Sequence, residues 1–442
     1  MRLRTSMLVF AAAATIIVTA CASSPPDSLA GDGEARRNDS TLATLDRKGK
    51  AGPEAMASAA ALDVAVLDSI DAVILDAIAV GITPGAALAV GRRGGPVRLR
   101  GYGSLDWGEG SPAVTDSTVY DLASLTKVVG TTTAVMLLTE RGAMDLNGPL
   151  SRYLPAWPRG GWRDGVIIRR LLLHRAGLPP FVRFWHPSAG ALREADAVVN
   201  AIARLDAAYE PGDRTVYSDL GFILLGAAVE AVTGRSLAAF LEEEMWAPLG
   251  MNETGFLPLD RAISLERIAP TEMDTVFRHV HVRGVVHDEN AYAMGGVAGH
   301  AGLFSTASDL ARFAAMLLDG GRLGEARVLR PGTVTEFTAR RPSAERALGW
   351  DLRSPRGIGE AFSDSAFGHT GFTGTSLWMD PERDVYVVLL TNRVNPTREQ
   401  GGIGNLRRMV HALAARAAGG AQSAESDGRG NGDGEDQGRR LR

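Results

Sequence analysis

The chain has 442 residues, a formal net charge of -4 and 45% hydrophobic residues. That balance fits a globular protein, and its scattered Lys and Arg form no basic patch for nucleic acid. Cys21 stands alone, which excludes an intramolecular disulfide framework.

The chain opens on a targeting segment. Arg2 and Arg4 precede an apolar run, Met7 to Val18, too short to span a bilayer. Val18-Thr19-Ala20-Cys21 sets small residues before a cysteine, the pattern of a bacterial lipobox; an ordinary secretory signal with an incidental cysteine is the alternative. The lipobox reading makes 1–20 a signal peptide and puts a lipid on Cys21. The body would then be membrane-anchored outside the cytoplasm, facing the periplasm where an outer membrane exists. Residues 21–60, rich in Ala, Ser, Gly, Asp and Arg, read as a flexible tether.

One large domain is expected over 61–418. Leu62 to Val80 carries apolar residues at helical spacing. Ala86 to Val90 and Val97 to Tyr102 read as strands joined by a Gly-rich hairpin. Tyr120 to Lys127 leads into Val128 to Arg141, apolar enough for a buried helix, with Asp121 as a candidate cap and Gly142 as its stop. Helical patterns dominate to about residue 285: Ile167 to His174, Leu220 to Val232 and Leu237 to Trp246. Gly295 to Gly302 is Gly-rich, the mark of close backbone approach or a flexible lip. Thr306 with Asp309 opens a helix through Leu318. Strands follow at Ala347 to Leu352, Ser365 to His369, Thr375 to Met379 and Val385 to Thr391, and Leu406 to Ala417 closes the domain. Residues 419–442 read as a disordered tail. The expected fold is α/β of the α+β type: an antiparallel sheet flanked by helices, interrupted by a mostly helical subdomain at about 125–285.

Three short stretches carry chemistry. Ser124-Leu125-Thr126-Lys127 sets a hydroxyl and an amine three residues apart, neighbours on a helix. A serine hydroxyl needs a base within hydrogen-bond reach, and a helix N-terminus favours a developing oxyanion. Alone, such a tetrad is a common accident. Tyr217-Ser218-Asp219 precedes the next long helix. A phenol beside an ammonium would titrate lower and could relay a proton, although in isolation a core tyrosine beside a helix cap is the favoured reading. His369-Thr370-Gly371 sits at a strand end. Its polar groups suit a substrate carboxylate, and the Phe372 N–H suits an oxyanion; a plain strand-turn is the alternative.

Taken together, the three stretches make residues 62–417 resemble the penicillin-recognising serine hydrolases: class C β-lactamases, D-alanyl-D-alanine carboxypeptidases and related esterases. Val166 to Pro179, Pro248 to Phe256 and Gly299 to Phe313 also match that family. The resemblance implies Ser124 as acyl-enzyme nucleophile, Lys127 as its proton partner, Tyr217 as acid/base near the leaving group and His369 on the substrate-binding strand. Asp219, Thr370, Gly371 and Phe372 are the expected substrate and oxyanion contacts.

The chain departs from the family twice. Asp219 stands where Asn is common, and an ionised Asp accepts but cannot donate to a substrate carbonyl. His369 stands where β-lactamases carry Lys. Both favour a D,D-peptidase-like hydrolase over a β-lactamase, with a carboxylesterase and a non-catalytic penicillin-binding module as the other readings. The expectation is a monomer acting on a small molecule or peptide, with no cofactor and no metal. His279, His281, His287, Asp288 and Glu289 lack metal-ligand spacing and read as a polar loop bordering the cleft, His279 and His281 on one strand face.

Overall fold

The structure, a computed structural model, describes residues 62–341, 344–354, 358 and 361–423. The signal peptide, Cys21 and the tether lie outside the described residues, as does the tail from 424 onward.

Six strands form one antiparallel sheet: β1 Gly85–Arg92, β2 Gly95–Gly103, β3 Asp351–Leu352, β4 Phe367–Thr370, β5 Ser376–Asp380 and β6 Val385–Thr391. Their spatial order is β2-β1-β6-β5-β4-β3. Thus β1 pairs with β6 near the other end of the chain, from Ala86 opposite Thr391 to Gly91 opposite Tyr386. The β6 sequence Val-Tyr-Val-Val-Leu-Leu-Thr is apolar on both alternating sets because both sheet faces are covered.

On one face lie helix α1, Val64–Ala79, and the closing helix α5, Ile403–Ser423. Leu67, Ile70 and Ile74 meet Val410 and Ala414 there, over Leu88, Val387 and Leu389. Helix α4, Ala307–Leu318, covers the other face, with Ala87, Ala89, Val388 and Leu390 beneath it. Thr306 caps α4 by accepting the Asp309 N–H at 3.1 Å, as the sequence pattern foretold. The α+β architecture read from the sequence is therefore the one that folds.

The elements differ from expectation in several places; of the strand expected at Ala347 to Leu352, only Asp351–Leu352 is strand. The segment after Ser124 is not one regular helix. A 3₁₀ turn, Ala123–Leu125, runs into a π-turn, Lys127–Thr132, before α2, Thr133–Glu140, becomes regular. Such π-turns break the i→i−4 ladder and collect at functional sites. Helix α5 runs through Gly419 to Ser423, past the point where the tail was expected; a glycine weakens a helix by about 1 kcal/mol but does not compel a stop. His279 and His281 do not share a strand face. His279 is left-handed, with φ 57°, and only Val280–His281 is extended.

Candidate active site

Ser124 sits on a corner that the sheet holds in place. Ala123 is left-handed, with φ 47°, which costs a residue with a Cβ roughly 1–3 kcal/mol. Contacts on both sides impose that conformation. The Asp121 carboxylate accepts the N–H groups of Ala123 at 2.8 Å and His287 at 2.6 Å. The Asp121 and Leu122 carbonyls accept the hydroxyls of Thr373 at 2.7 Å and Thr375 at 3.0 Å. Asp121 is thus a clamp across the corner rather than a helix cap.

Those two threonines belong to the turn between β4 and β5, so the His369-Thr370-Gly371 stretch is fastened to the residues before Ser124. Gly371 has no room for a side chain: a Cβ would lie 2.1 Å from the Thr375 hydroxyl and 2.4 Å from the Leu122 carbonyl. Its N–H donates to Thr375 O at 2.7 Å. The Phe372 carbonyl is held by Arg393 at 2.9 Å, and its ring, 49% exposed, stacks on His287 at 5.7 Å.

Lys127 is fully buried. Its Nζ lies 3.1 Å from Ser124 Oγ, 2.9 Å from His300 O and 2.7 Å from Asp219 Oδ1. The His300 carbonyl reaches it because the Gly-rich segment lies against α3, Asp219–Thr233. A Cβ at Gly299 would meet Phe222 O at 2.1 Å. That run is the close-approach alternative of the sequence reading. Asp219, at the first turn of α3, pairs one carboxylate oxygen with Lys127, while its side chain stays 19% exposed.

Tyr217 comes from the loop before α3. Its ring is 38% exposed at the mouth, while its phenol end lies beside Ser124 and Lys127, with Lys127 Nζ 5.1 Å from the ring centroid. There burial pushes the phenol up, and Asp219 adds to it; the neighbouring ammonium only partly offsets them. The lowered titration expected from the ammonium alone is reversed, and Tyr217 is a neutral phenol. For Lys127, burial disfavours the charged form, yet Asp219 and Tyr217 outweigh it and raise the pKa. The amine is therefore an ammonium.

Two histidines frame Tyr217. His174, left-handed at φ 56°, accepts the N–H of Val216 on its carbonyl at 2.8 Å and that of Ser218 on Nδ1 at 3.0 Å. Its ring lies 4.5 Å from the Tyr217 ring. With Nδ1 accepting, Nε2 carries the proton and is left without a partner. His369 does the opposite: Nδ1 donates to Thr370 O at 2.8 Å and an unpartnered Nε2 lone pair remains. Burial, with help from Arg346 and Lys127, pulls His369 down to about 4, so it is neutral at pH 7. It brings no charge to a carboxylate.

A cation stands nearby instead, on a residue that sequence reading passed over. Arg346 lies 5.4 Å from the Tyr217 ring centroid and pairs with Asp351, while its Nε and Nη2 have no partner. No spacing rule points to it, because only the fold brings that loop to Tyr217. The expected polar lip is a charge network. Glu272 bonds His287 at 2.9 Å and Arg398 at 2.5 Å, and Arg398 reaches Glu289 at 2.7 Å. Burial opposes the Glu272 charge, but His287 and Arg398 hold it down to about 2.

These buried neutral histidines give an acid-stability prediction. His411, behind the sheet, is drawn down to about 3 by burial, and His174 well below its usual value by the same cause. The unfolded chain protonates each near pH 6.5, before the folded chain does. Stability is therefore full above pH 6.5 and lost as pH falls toward 4, by about 2 kcal/mol at pH 5 for His411, with His174 acting in the same direction. Urea midpoints at pH 7.5 and 5.0 should show a marked fall; equal midpoints would contradict the burial of these rings.

With the geometry in place, likenesses to known proteins bear on it. The family described as Beta-lactamase matches residues 70–409. A Bacillus subtilis protein named N-acetylmuramyl-L-alanine amidase is 35% identical over 361 residues, 74% of this chain and 81% of its own length. A Salmonella schwarzengrund protein with the provisional name D-alanyl-D-alanine carboxypeptidase is 35% identical over 303 residues, covering 63% and 70%. A penicillin-binding protein homologue from Caulobacter crescentus has a similar fold, with TM-score 0.66 and 23% identity over 80% of this chain and 97% of its own.

Proposed function

The chain belongs to the β-lactamase family of penicillin-recognising serine hydrolases, and on that premise we propose a D,D-peptidase-like hydrolase of small amides or peptides that works through an acyl-enzyme on Ser124. The observation that carries the reading is the Ser124 hydroxyl within reach of both Lys127 and Tyr217, with the unpartnered edge of Arg346 beside them. Ser124 attacks the scissile carbonyl. Lys127 and Tyr217 manage the proton, Tyr217 giving its own to the leaving amine. The N–H groups of Ser124 and Phe372 receive the oxyanion. Thr370 and Arg346 hold a carboxylate near the scissile bond, since neutral His369 supplies no positive charge. The names of the two relatives, an amidase and a carboxypeptidase, support amide bonds next to alanine as the substrate class.

A second reading follows the Bacillus subtilis relative, of which the chain covers the larger share. By that relative's name, the bond cut is the amide between an N-acetylmuramyl group and L-alanine. Rates measured side by side with a D-Ala-D-Ala peptide, N-acetylmuramyl-L-alanine, p-nitrophenyl butyrate and nitrocefin decide among the readings. The D-Ala-D-Ala peptide should turn over fastest. Nitrocefin ahead by orders of magnitude would make the protein a β-lactamase instead, and reaction of the ester alone an esterase.

The proposed setting is the cell envelope, reached through a lipid on Cys21. Labelled fatty acid should enter the wild type and not Cys21→Ala; equal labelling would remove the anchor from the picture.

A further inference from the structure

Lys127 presents a difficulty for any account in which it takes the proton of Ser124. An ammonium has three hydrogens and no lone pair. The acceptors around this one are Ser124 Oγ, His300 O and Asp219 Oδ1, with the Tyr217 hydroxyl beside them. As a cation it can only donate to Ser124. Before it can act as a base it must lose a proton, and it is shut off from bulk water.

The groups facing it leave one destination. From the loop before α3 comes Tyr217, already a neutral phenol, and from the first turn of α3 comes Asp219, in direct contact at 2.7 Å. From the Gly-rich segment comes His300, whose ring is tied to Asp288 at 2.9 Å. Asp288 senses the Lys127 charge but is engaged by that ring and by the Ala291 N–H. His174 and His369 also sense the charge; both are neutral and make no contact with Nζ. Among the described residues, the only carboxylate touching Nζ is Asp219.

We propose that Asp219 is the proton acceptor for Lys127, so that the ion pair turns into a neutral amine and a neutral carboxylic acid when substrate seals the cleft. Its rationale is that a buried ion pair is held against a large desolvation penalty, and removing the remaining water narrows the gap to the uncharged pair. The Asp219 side chain is 19% exposed toward the cleft, so an occupant there changes its hydration directly. Asp219 acts through Lys127 and is a positioning residue for that amine and its proton.

The proton balance closes. Lys127 gives one proton to Asp219 Oδ1 and becomes an amine. Ser124 Oγ forms its bond to the carbonyl carbon and passes its proton to Nζ. On collapse the C–N bond breaks and the leaving amine takes the Tyr217 proton. Lys127 refills Tyr217, Asp219 refills Lys127, and the ion pair is restored. An asparagine at this position could not take up the proton, so the departure at Asp219 changes how the base is made.

The inference rests on the acyl-enzyme reading of Ser124 but not on which amide is cut, so the test uses a fluorophosphonate. Ser124 Oγ attacks phosphorus, fluoride leaves, and the same proton must be removed. Second-order labelling rates are measured from about pH 6 to 9.5 for the full chain, Asp219→Asn, Asp219→Glu and Asp219→Ala with and without formate. The wild type should be flat between about pH 6 and 9, below the range in which a free lysine amine deprotonates. Asp219→Asn should be about 10–100-fold slower at pH 7 and rise with pH until it levels off below the free-lysine range, because Lys127 must now lose its proton to solvent and burial without Asp219 lowers its pKa. Asp219→Glu, or formate added to Asp219→Ala, should restore the flat profile. A flat profile in a folded Asp219→Asn enzyme overturns the proposal. Should Asp219→Asn not fold, a flat Asp219→Ala profile without formate does the same. Labelling of Ser124→Ala would instead bring down the nucleophile reading, whatever Asp219 does.

Discussion

The Ser124→Ala protein should take up no fluorophosphonate or penicillin probe, and its hydrolysis should fall by roughly 10⁴–10⁶-fold, as when other serine hydrolases lose their nucleophile. The expectation is local. Ser124 is the hydroxyl that Lys127 Nζ meets, and the strained Ala123 corner is fastened from both sides to hold it there. Alanine fits that corner without disturbing the clamp, because Ala123, Asp121 and the two threonines are untouched. The fold should therefore survive while the chemistry stops. Intact-mass measurement after probe exposure checks this; an adduct on the alanine variant would reveal a different nucleophile.

The second large effect concerns the proton carriers. Lys127→Ala and Tyr217→Phe should each slow turnover by about 10²–10⁴-fold, the range for a positioned acid or base. Lys127→Ala should also destabilise the fold by about 1–3 kcal/mol, because His300 O loses a buried donor and Asp219 its counter-charge. Tyr217→Phe leaves that pair intact and should unfold near the wild-type midpoint. Turnover and urea midpoints on the same preparations separate the two. Near-normal rates in both variants would remove these residues from the mechanism.

How much of this was legible from residues alone varied with the range of the forces involved. Strand β6, helix α4 with its Thr306 cap and the hairpin after α1 were readable, because period and capping are local. Ser124 and Lys127 were readable too, since three residues fix their separation. The helix Ala195–Arg204 escaped notice, although Val198, Val199 and Ile202 carry its buried stripe. The charge states were misjudged where burial decided them. Tyr217 beside an ammonium promised an easily ionised phenol, and desolvation reversed the sign. Asp219 could be compared with an absent Asn, but its contact with Lys127 exists only after α3 folds against the Ser124 segment. Arg346 had no signature of any kind.

The pairing of β1 with β6 bears on when activity begins. Residue 86 meets residue 391, and the turn that braces the Ser124 corner lies between β4 and β5. A growing chain carries Ser124, Lys127 and Tyr217 long before it carries that turn or the strand that closes the sheet. Pairings so distant in sequence form late, since the loop they close must first surrender its freedom. A chain stopped short of Thr391 holds the nucleophile and its proton partners but no brace for the corner. The hydrolase should thus stay silent through most of its own synthesis, and limited proteolysis of the β5–β6 hairpin should silence it again.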